Sequence, residues 1–356
     1  MPIAFDGMYH LMIHQIKHGN NVHLKIFICE FITGGGLYRA SLPPSLLLEG
    51  LMMRDAALRD FSQISNVDVL VTCDHRLYPP KNAHQVMMVD PEQDVWALWE
   101  SCIAGADAVL MIAPETNGHL EKLTILAEVL GKTILGCSSA AVHQAGDKWL
   151  SFESLIAHDI PTLETYLAND LPDLISRAYV AKPREGAGCE DMAYFQNINK
   201  LKAWIKPRLN THIVQPYQKG VAASFSMLCR DGKAYLLSAN NQNIQIDGHW
   251  ISYSGGVING LAEYETEFRA LAQKIAQAMP GLAGYVGVDV IIDVDQFYVV
   301  EVNPRLTTSY VDLHQACGWN PAQMLLDLFY NEAFVLPAIN HKKVEFSLDP
   351  SAFSKN

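Results

Sequence analysis

Apolar positions recur along the chain either with period two or in short unbroken runs, and where the period moves towards 3.6 they mark helices. From residue 24 the order is a strand over 24–31, a turn at Thr33-Gly34-Gly35-Gly36, and a helix over 45–61. Further strands are predicted at 67–72, 84–89, 108–113 and 133–135, with helices at 94–104 and 120–130. Strands alternating with helices at this spacing predict a doubly wound parallel α/β domain over 24–140. Past residue 177 the pattern becomes antiparallel β. Runs at 179–183 and 192–195 flank a loop rich in glycine and charge, a helix is predicted at 199–206 and a strand at 211–215. A hairpin of 224–229 with 234–239 turns about Asp231-Gly232. Phe268, Leu271, Ala272, Ile275 and Met279 form the apolar stripe of a helix over 263–279. The reading is therefore α/β: residues 1–23 as an extension, 24–140 as the parallel domain, 141–217 and 218–340 as two α+β subdomains, and 341–356 as a tail.

The period-two pattern is most informative at 286–303. Val286, Val288, Val290 and Ile292 share one face, and Gly287, Asp289, Ile291 and Asp293 the other. On the next strand Tyr298, Val300 and Val302 face the core, and Phe297, Val299, Glu301 and Asn303 face away. A three-residue loop, Val294-Asp295-Gln296, sets Asp289 directly against Glu301, whereas a two-residue loop would put the two carboxylates on opposite faces. Facing carboxylates repel unless a cation lies between them, and Mg²⁺ takes a few carboxylate oxygens and completes its shell with water and phosphate. Asn303 adds a neutral oxygen. A hairpin with a solvated acidic face is the alternative. The exit Asn303-Pro304-Arg305 favours the metal site, since Pro304 ends the pairing and Arg305 is placed to reach a phosphate oxygen.

Composition narrows the partners. A formal charge of −12 over 356 residues argues against nucleic acid or an anionic membrane, both of which need a basic face. Seven cysteines are scattered without a Cys-x-x-Cys pair, which suits reduced thiols and the cytoplasm. The longest apolar run, 108–113, is too short to span a bilayer.

Four further segments fit a nucleotide site. Lys182 ends a strand and is followed by Glu185-Gly186-Ala187-Gly188, a loop whose backbone N–H groups can approach phosphate oxygens. Lys148 offers a second cation, and Gln215-Pro216-Tyr217 a strand edge for an adenine. Taken singly, each also reads as a surface lysine, a turn or a strand end. The triple glycine at 34–36 lacks the Gly-x-Gly-x-x-Gly fingerprint and reads equally as a substrate-contacting loop or a plain turn. Thr307, Thr308 and Ser309 read as substrate contacts or as caps of the next turn.

In order and spacing these segments resemble the ATP-grasp superfamily of carboxylate–amine ligases, over about residues 25–328. The resemblance implies an ATP-grasp fold whose two α+β subdomains clamp ATP. It implies that Lys148 and Lys182 bind phosphates, that Glu185, Gly186 and Gly188 form the lid, and that residues 215–217 hold the adenine. Asp289, Glu301 and Asn303 would bind two Mg²⁺ ions, for which Mn²⁺ could substitute, and Arg305 with Lys182 would stabilise the transferring phosphoryl group. The chain departs from the pattern at Ala222, where many relatives carry an acidic ribose contact; Ser224 or main chain would replace it. Glu30-Phe-Ile-Thr-Gly-Gly-Gly36, Leu42-Pro-Pro-Ser45, Lys182 to Glu190 and Asn303 to Tyr310 are similar to the tyramine–glutamate ligase group of methanofuran-type cofactor biosynthesis. That implies glutamate and a primary amine, tyramine or tyrosine, as substrates. Another amino-acid pair, discriminated by loops 33–44 and 74–78, or a non-catalytic ATP-binding module are the alternatives. A homodimer is the default assembly. Glu301→Gln is expected to abolish ADP release and leave folding nearly intact.

Overall fold

A computed structural model describes residues 23–348. The extension expected over 1–23 lies outside the described residues except for His23, as does the tail beyond 348. Among the described residues no helix is long and apolar enough to cross a membrane.

The first half is a five-stranded parallel sheet: β1 (Leu24–Glu30), β2 (Val67–Asp74), β3 (Gln85–Val89), β4 (Ala108–Ile112) and β5 (Thr133–Ile134), in the order β3-β2-β1-β4-β5. Its strands are nearly continuous apolar runs because both faces are covered. Ile26, Ile28, Val69, Val71 and Leu110 pack with Met53, Ala57 and Phe61 of helix α1 (Pro44–Phe61). Phe27, Cys29, Leu70 and Val109 pack on the other side with Trp99 and Ile103 of α2 (Val95–Ala104) and Leu123 of α3 (His119–Val129). The Asp94 carboxylate caps α2 by accepting from the N–H groups of Trp96 and Ala97. Strand order reverses between β1 and β4, so a crevice opens beyond their C-terminal ends. The glycine triplet there is a packing device: a Cβ on Gly34 would lie 2.8 Å from Thr72 Oγ1.

Two short helices, α4 (Ser139–Gly146) and α5 (Lys148–Ala157), lead into a ten-stranded sheet. Its distal part holds β6 (Tyr166–Leu167), β7 (Tyr179–Pro183), β8 (Ala193–Phe195) and β9 (His212–Pro216), backed by α6 (Ile198–Ile205) through Tyr179, Ala181, Phe195, Leu201 and Val214. Its central part holds β10 (Val221–Arg230), β11 (Lys233–Asp247), β12 (Trp250–Ile258), β13 (Gly284–Asp293) and β14 (Gln296–Asn303), with α7 (Glu265–Ala278) against one face. Two helices, α8 (Leu313–Cys317) and α9 (Pro321–Tyr330), and β15 (Val344–Ser347) beside β12 complete it. β11 runs well beyond the 234–239 expected, and β12 was not expected at all; the tip of their hairpin reaches β8 by pairing Trp250 with Ala193.

The β13–β14 hairpin corrects one expectation and meets another. Asp293 pairs with Gln296, so the loop has two residues, not three. A bulge then intervenes: Val290 pairs with Val299, but Asp289 pairs with Glu301, leaving Val300 as the extra residue. The bulge restores the carboxylates to one face. It also sends Val299 and Val302 into the core, whereas Val300 lines the cleft on the opposite side.

Candidate active site

A cavity of about 520 Å³ lies between the distal and central parts of the large sheet, floored by the β13–β14 hairpin. Lys148, Lys182, Gly186, Gly188, Gln215, Pro216, Tyr217, Asp289, Glu301, Asn303 and Arg305 all line it. Of the nucleotide and metal candidates, only Glu185 does not; it is exposed to solvent.

Local structure explains each placement. Asp147 caps α5 by accepting from the N–H groups of Trp149 and Leu150, which puts Lys148 at the first helical position with its ammonium in the cleft. Lys182 alternates with Ala181 on β7: Ala181 faces the small distal core and Lys182 the cavity. The loop after β7 is tied to α5, because Lys148 N donates to Arg184 O at 2.9 Å, Lys148 Nζ donates to Gly186 O at 3.1 Å, and Arg184 pairs with Asp147. Gly188 sits at φ +71°, a conformation open to glycine at little cost.

Charges are concentrated where water is scarce. Lys148 Nζ lies 2.9 Å from Glu301 Oε1. Burial pushes the Glu301 carboxyl up, but the ammonium groups of Lys148 and Lys182 outweigh it and hold the group below its ordinary range. Asp289 forms no ion pair and feels only a weaker attraction from Lys182. Burial, and then the charge of Glu301, push it up to about 6, although Gln242 Nε2 at 2.7 Å and Asn303 Nδ2 at 3.2 Å both donate to its carboxylate. Lys182 is lowered to about 8, chiefly by burial and with Lys148 adding repulsion, against the attraction of Glu301. Cys189 lines the cavity, but burial raises its thiol to about 12, so it stays protonated.

Arg305 is held in a way the sequence did not indicate. Its Nε and Nη2 donate to Glu115 at 2.8 and 3.1 Å, a bidentate pair 9% and 5% exposed, and Nη1 donates to Leu306 O. Glu115 follows β4 in the crevice of the parallel sheet. The loops 33–44 and 74–78 do not line the cavity; Asp74 and Arg76 instead form their own ion pair. Sequence reasoning missed Glu49, Gln242 and Tyr253, all on the cavity wall. The alternation of Ile244, Ile246 and Ile251 was the available signal for Gln242 and Tyr253. Ala222 and Ser224 both line the cavity, with Gln218 nearby donating to Asp293 at 2.8 Å. Thr307, Thr308 and Ser309 line it too, and Thr308 Oγ1 lies 3.4 Å from Tyr253 Oη.

Comparison with known proteins agrees with this geometry. Residues 145–309 match the model of an ATP-grasp domain, and residues 67–142 that of a pre-ATP-grasp domain. A tyramine–L-glutamate ligase of Methanocaldococcus fervens is 30% identical over 314 residues, covering 87% of this chain and 94% of that protein. The chain belongs to the ATP-grasp family. It is thus an ATP-dependent carboxylate–amine ligase. This ATP-grasp enzyme also superposes on a protein from Archaeoglobus fulgidus assigned to the same superfamily, with a TM-score of 0.66 and 26% identity over 89% of this chain and 90% of that one. The biotin carboxylase domain of Hydrogenobacter thermophilus 2-oxoglutarate carboxylase, solved with MgADP, ADP and bicarbonate, shares the fold at a TM-score of 0.68 with 15% identity, over 91% and 73% of the two chains.

The donor set fits magnesium. Two carboxylates face each other across the hairpin with a side-chain amide beside them, all hard oxygen donors, and the one nearby thiol is protonated. Among the described residues no cluster of three or more His, Cys, Asp or Glu side chains is arranged to hold a metal ion. An incomplete protein shell of this kind suits an ion that completes its coordination with phosphate and water.

Proposed function

We propose that the enzyme joins the γ-carboxylate of glutamate to the primary amine of tyramine, with ATP consumed to ADP and phosphate, in biosynthesis of a methanofuran-type cofactor. The single observation that carries the chemistry is the buried charge array: the facing Asp289–Glu301 pair beside Lys148 and Lys182. The substrates are those named for the relative that the chain matches over nearly its whole length.

In this reading 24–140 supplies the crevice side, 141–217 the lid, and 218–340 the floor. Lys148 and Lys182 bind the phosphates, and residues 215–217 hold the adenine. Asp289, Glu301 and Asn303 hold two Mg²⁺ ions. Bound there, magnesium would screen the repulsion between carboxylate and triphosphate. A γ-carboxylate oxygen of glutamate attacks the γ-phosphorus, the bond to ADP breaks, and the acyl phosphate forms. The amine nitrogen then attacks the acyl carbon, phosphate leaves, and the amine gives up a proton. Arg305 is fixed by Glu115 with donors to spare, so it is pre-oriented for the charge on the transferring phosphoryl group. The Gly186–Gly188 loop, anchored on α5, excludes water that would hydrolyse the acyl phosphate.

The test is an ADP-release assay with Mg²⁺, glutamate and a panel of amines, run on wild type and Glu301→Gln. Turnover requiring both glutamate and tyramine, lost in the variant, is expected. Glutamate-independent turnover with another amino acid rejects the substrates, and full turnover by Glu301→Gln rejects the metal assignment.

A further inference from the structure

We infer that Glu49 is the carboxylate that recognises a substrate's primary ammonium group; the inference rests on the ligase reading above. Glu49 lies on α1, and among the described residues it is the only one before Lys148 on the cavity wall. It is therefore the point at which the parallel half of the molecule touches the reaction space.

Three of the other carboxylates around the cavity are already engaged. Glu301 is paired with Lys148, Asp289 accepts from Gln242 and Asn303, and Glu115 holds Arg305. Glu190 is exposed to solvent on the lid loop. Glu49 differs from all of these. It is half-buried, yet among the described residues no donor hydrogen-bonds its carboxylate and no cation pairs with it. Arg305 is the neighbouring positive charge, but its Nε and Nη2 are committed to Glu115, and burial outweighs its attraction so that the Glu49 carboxyl is raised. A carboxylate withdrawn from water without a partner is costly unless a cation arrives to offset it.

The surroundings define which cation. Glu49 is half-buried and the only other carboxylate acting on it is the exposed Glu190 on the lid loop; that is too few fixed ligands for a divalent ion, whereas it suits an ammonium group with three N–H donors. The lid closes directly over it: a Cβ on Gly188 would lie 3.4 Å from Glu49 Oε1. An ammonium group bound there is sealed in by the loop that also covers the phosphates. Both substrates carry this group, tyramine as its reacting amine and glutamate as its α-ammonium.

The test is Glu49→Gln in the full-length enzyme, an isosteric change that removes an unpartnered buried charge and should not impair folding. With ATP and Mg²⁺ in excess, the KM for one ammonium substrate should rise at least tenfold, roughly the loss of one charge-assisted hydrogen bond, while the KM for ATP is unchanged. Hydroxylamine, a small acceptor that is largely neutral at pH 7.5 and traps the acyl phosphate as a hydroxamate, separates the sources. If Glu49 holds the acceptor, hydroxamate formation stays at the wild-type rate and only the tyramine KM rises. If it holds the α-ammonium of glutamate, the glutamate KM rises in both assays. Tyramine and glutamate KM values both within twofold of wild type would overturn the inference. Wild-type enzyme that releases no ADP with any amine removes the ligase reading and this inference with it, an outcome visible without the substitution.

Discussion

Asp289 carries a stability cost that its proposed role explains. Its carboxyl titrates at about 6 in the fold, against about 3.9 in an unfolded chain. Between those values the folded state keeps a proton that the unfolded state has released, so metal-free stability falls as pH rises from about 4 to about 6, by roughly 3 kcal/mol in all. Glu301 has the opposite sign: its lowered pKa contributes stability above the unfolded value, lost as pH falls through the folded one. Asp289→Asn should therefore raise the metal-free Tm at pH 7, with the gain shrinking towards pH 4, and should eliminate Mg²⁺-dependent turnover. A Tm series from pH 4 to 7.5 in chelator decides it; an unchanged Tm at pH 7 would show that Asp289 is buried without strain. The same geometry revises the expectation that Glu301→Gln leaves folding intact. Glu301 is the counter-charge of Lys148 and Lys182, and removing one member of a buried pair costs about 3 kcal/mol or more.

At the scale of the element, the β13–β14 hairpin holds its register against two local penalties, a bulge at Val300 and a two-residue turn in which Val294 sits at φ +53°. A β-branched residue in that region is strained by about 1–2 kcal/mol, and Val294, 82% exposed, gains no packing in return. Val294→Asn should raise the urea midpoint by the equivalent of about 1 kcal/mol with an unchanged m-value; a lowered midpoint would mean that the valine conformation is relaxed. The alternation of 286–303 made the strands readable, but their facing carboxylates arise from two features it did not show and that offset each other, a loop one residue shorter and the bulge. Val299-Val300 is apolar at both positions, so period two alone does not say which valine is surplus. The unbroken apolar runs of β1, β2 and β4 were readable because both sheet faces are covered. The reach of β11 was harder to read: its second half, Asn240 to Asp247, is polar but for the alternating Ile244 and Ile246, too short an apolar face beside a cavity wall to mark a strand by itself. Glu115 was unreadable as a partner because the pair joins residues 190 positions apart, across the seam between the two sheets.

At the scale of the whole molecule, that seam borders the cavity at Glu49 and Arg305, and polar ties hold it together. Arg59 Nη2 donates to Val311 O at 3.0 Å, His314 Nδ1 lies 2.9 Å from Asp60, and Asn320 Nδ2 donates to Asp60 O at 2.7 Å, all between α1 and the segment after the hairpin. The Glu115–Arg305 pair closes the seam at the cavity itself. A chain of net charge −12 thus confines its functional cations to a few buried positions, each set against a carboxylate. Because the pair is buried, its members should be interdependent. Glu115→Gln leaves a buried guanidinium without its counter-charge and should cost about 3–5 kcal/mol, whereas Glu115→Gln with Arg305→Met removes the stranded charge and should recover much of that loss. Turnover separates the structural from the chemical part of the pair. The double variant, though folded, should remain inactive if Arg305 acts on the phosphoryl group, since stability returns without the cation. Urea unfolding and ADP release across the four-member cycle supply both readings. A Glu115→Gln cost below about 1 kcal/mol would show that Arg305 is stabilised independently of Glu115, and a folded double variant that turns over normally would leave Arg305 as a seam residue with no part in phosphoryl transfer.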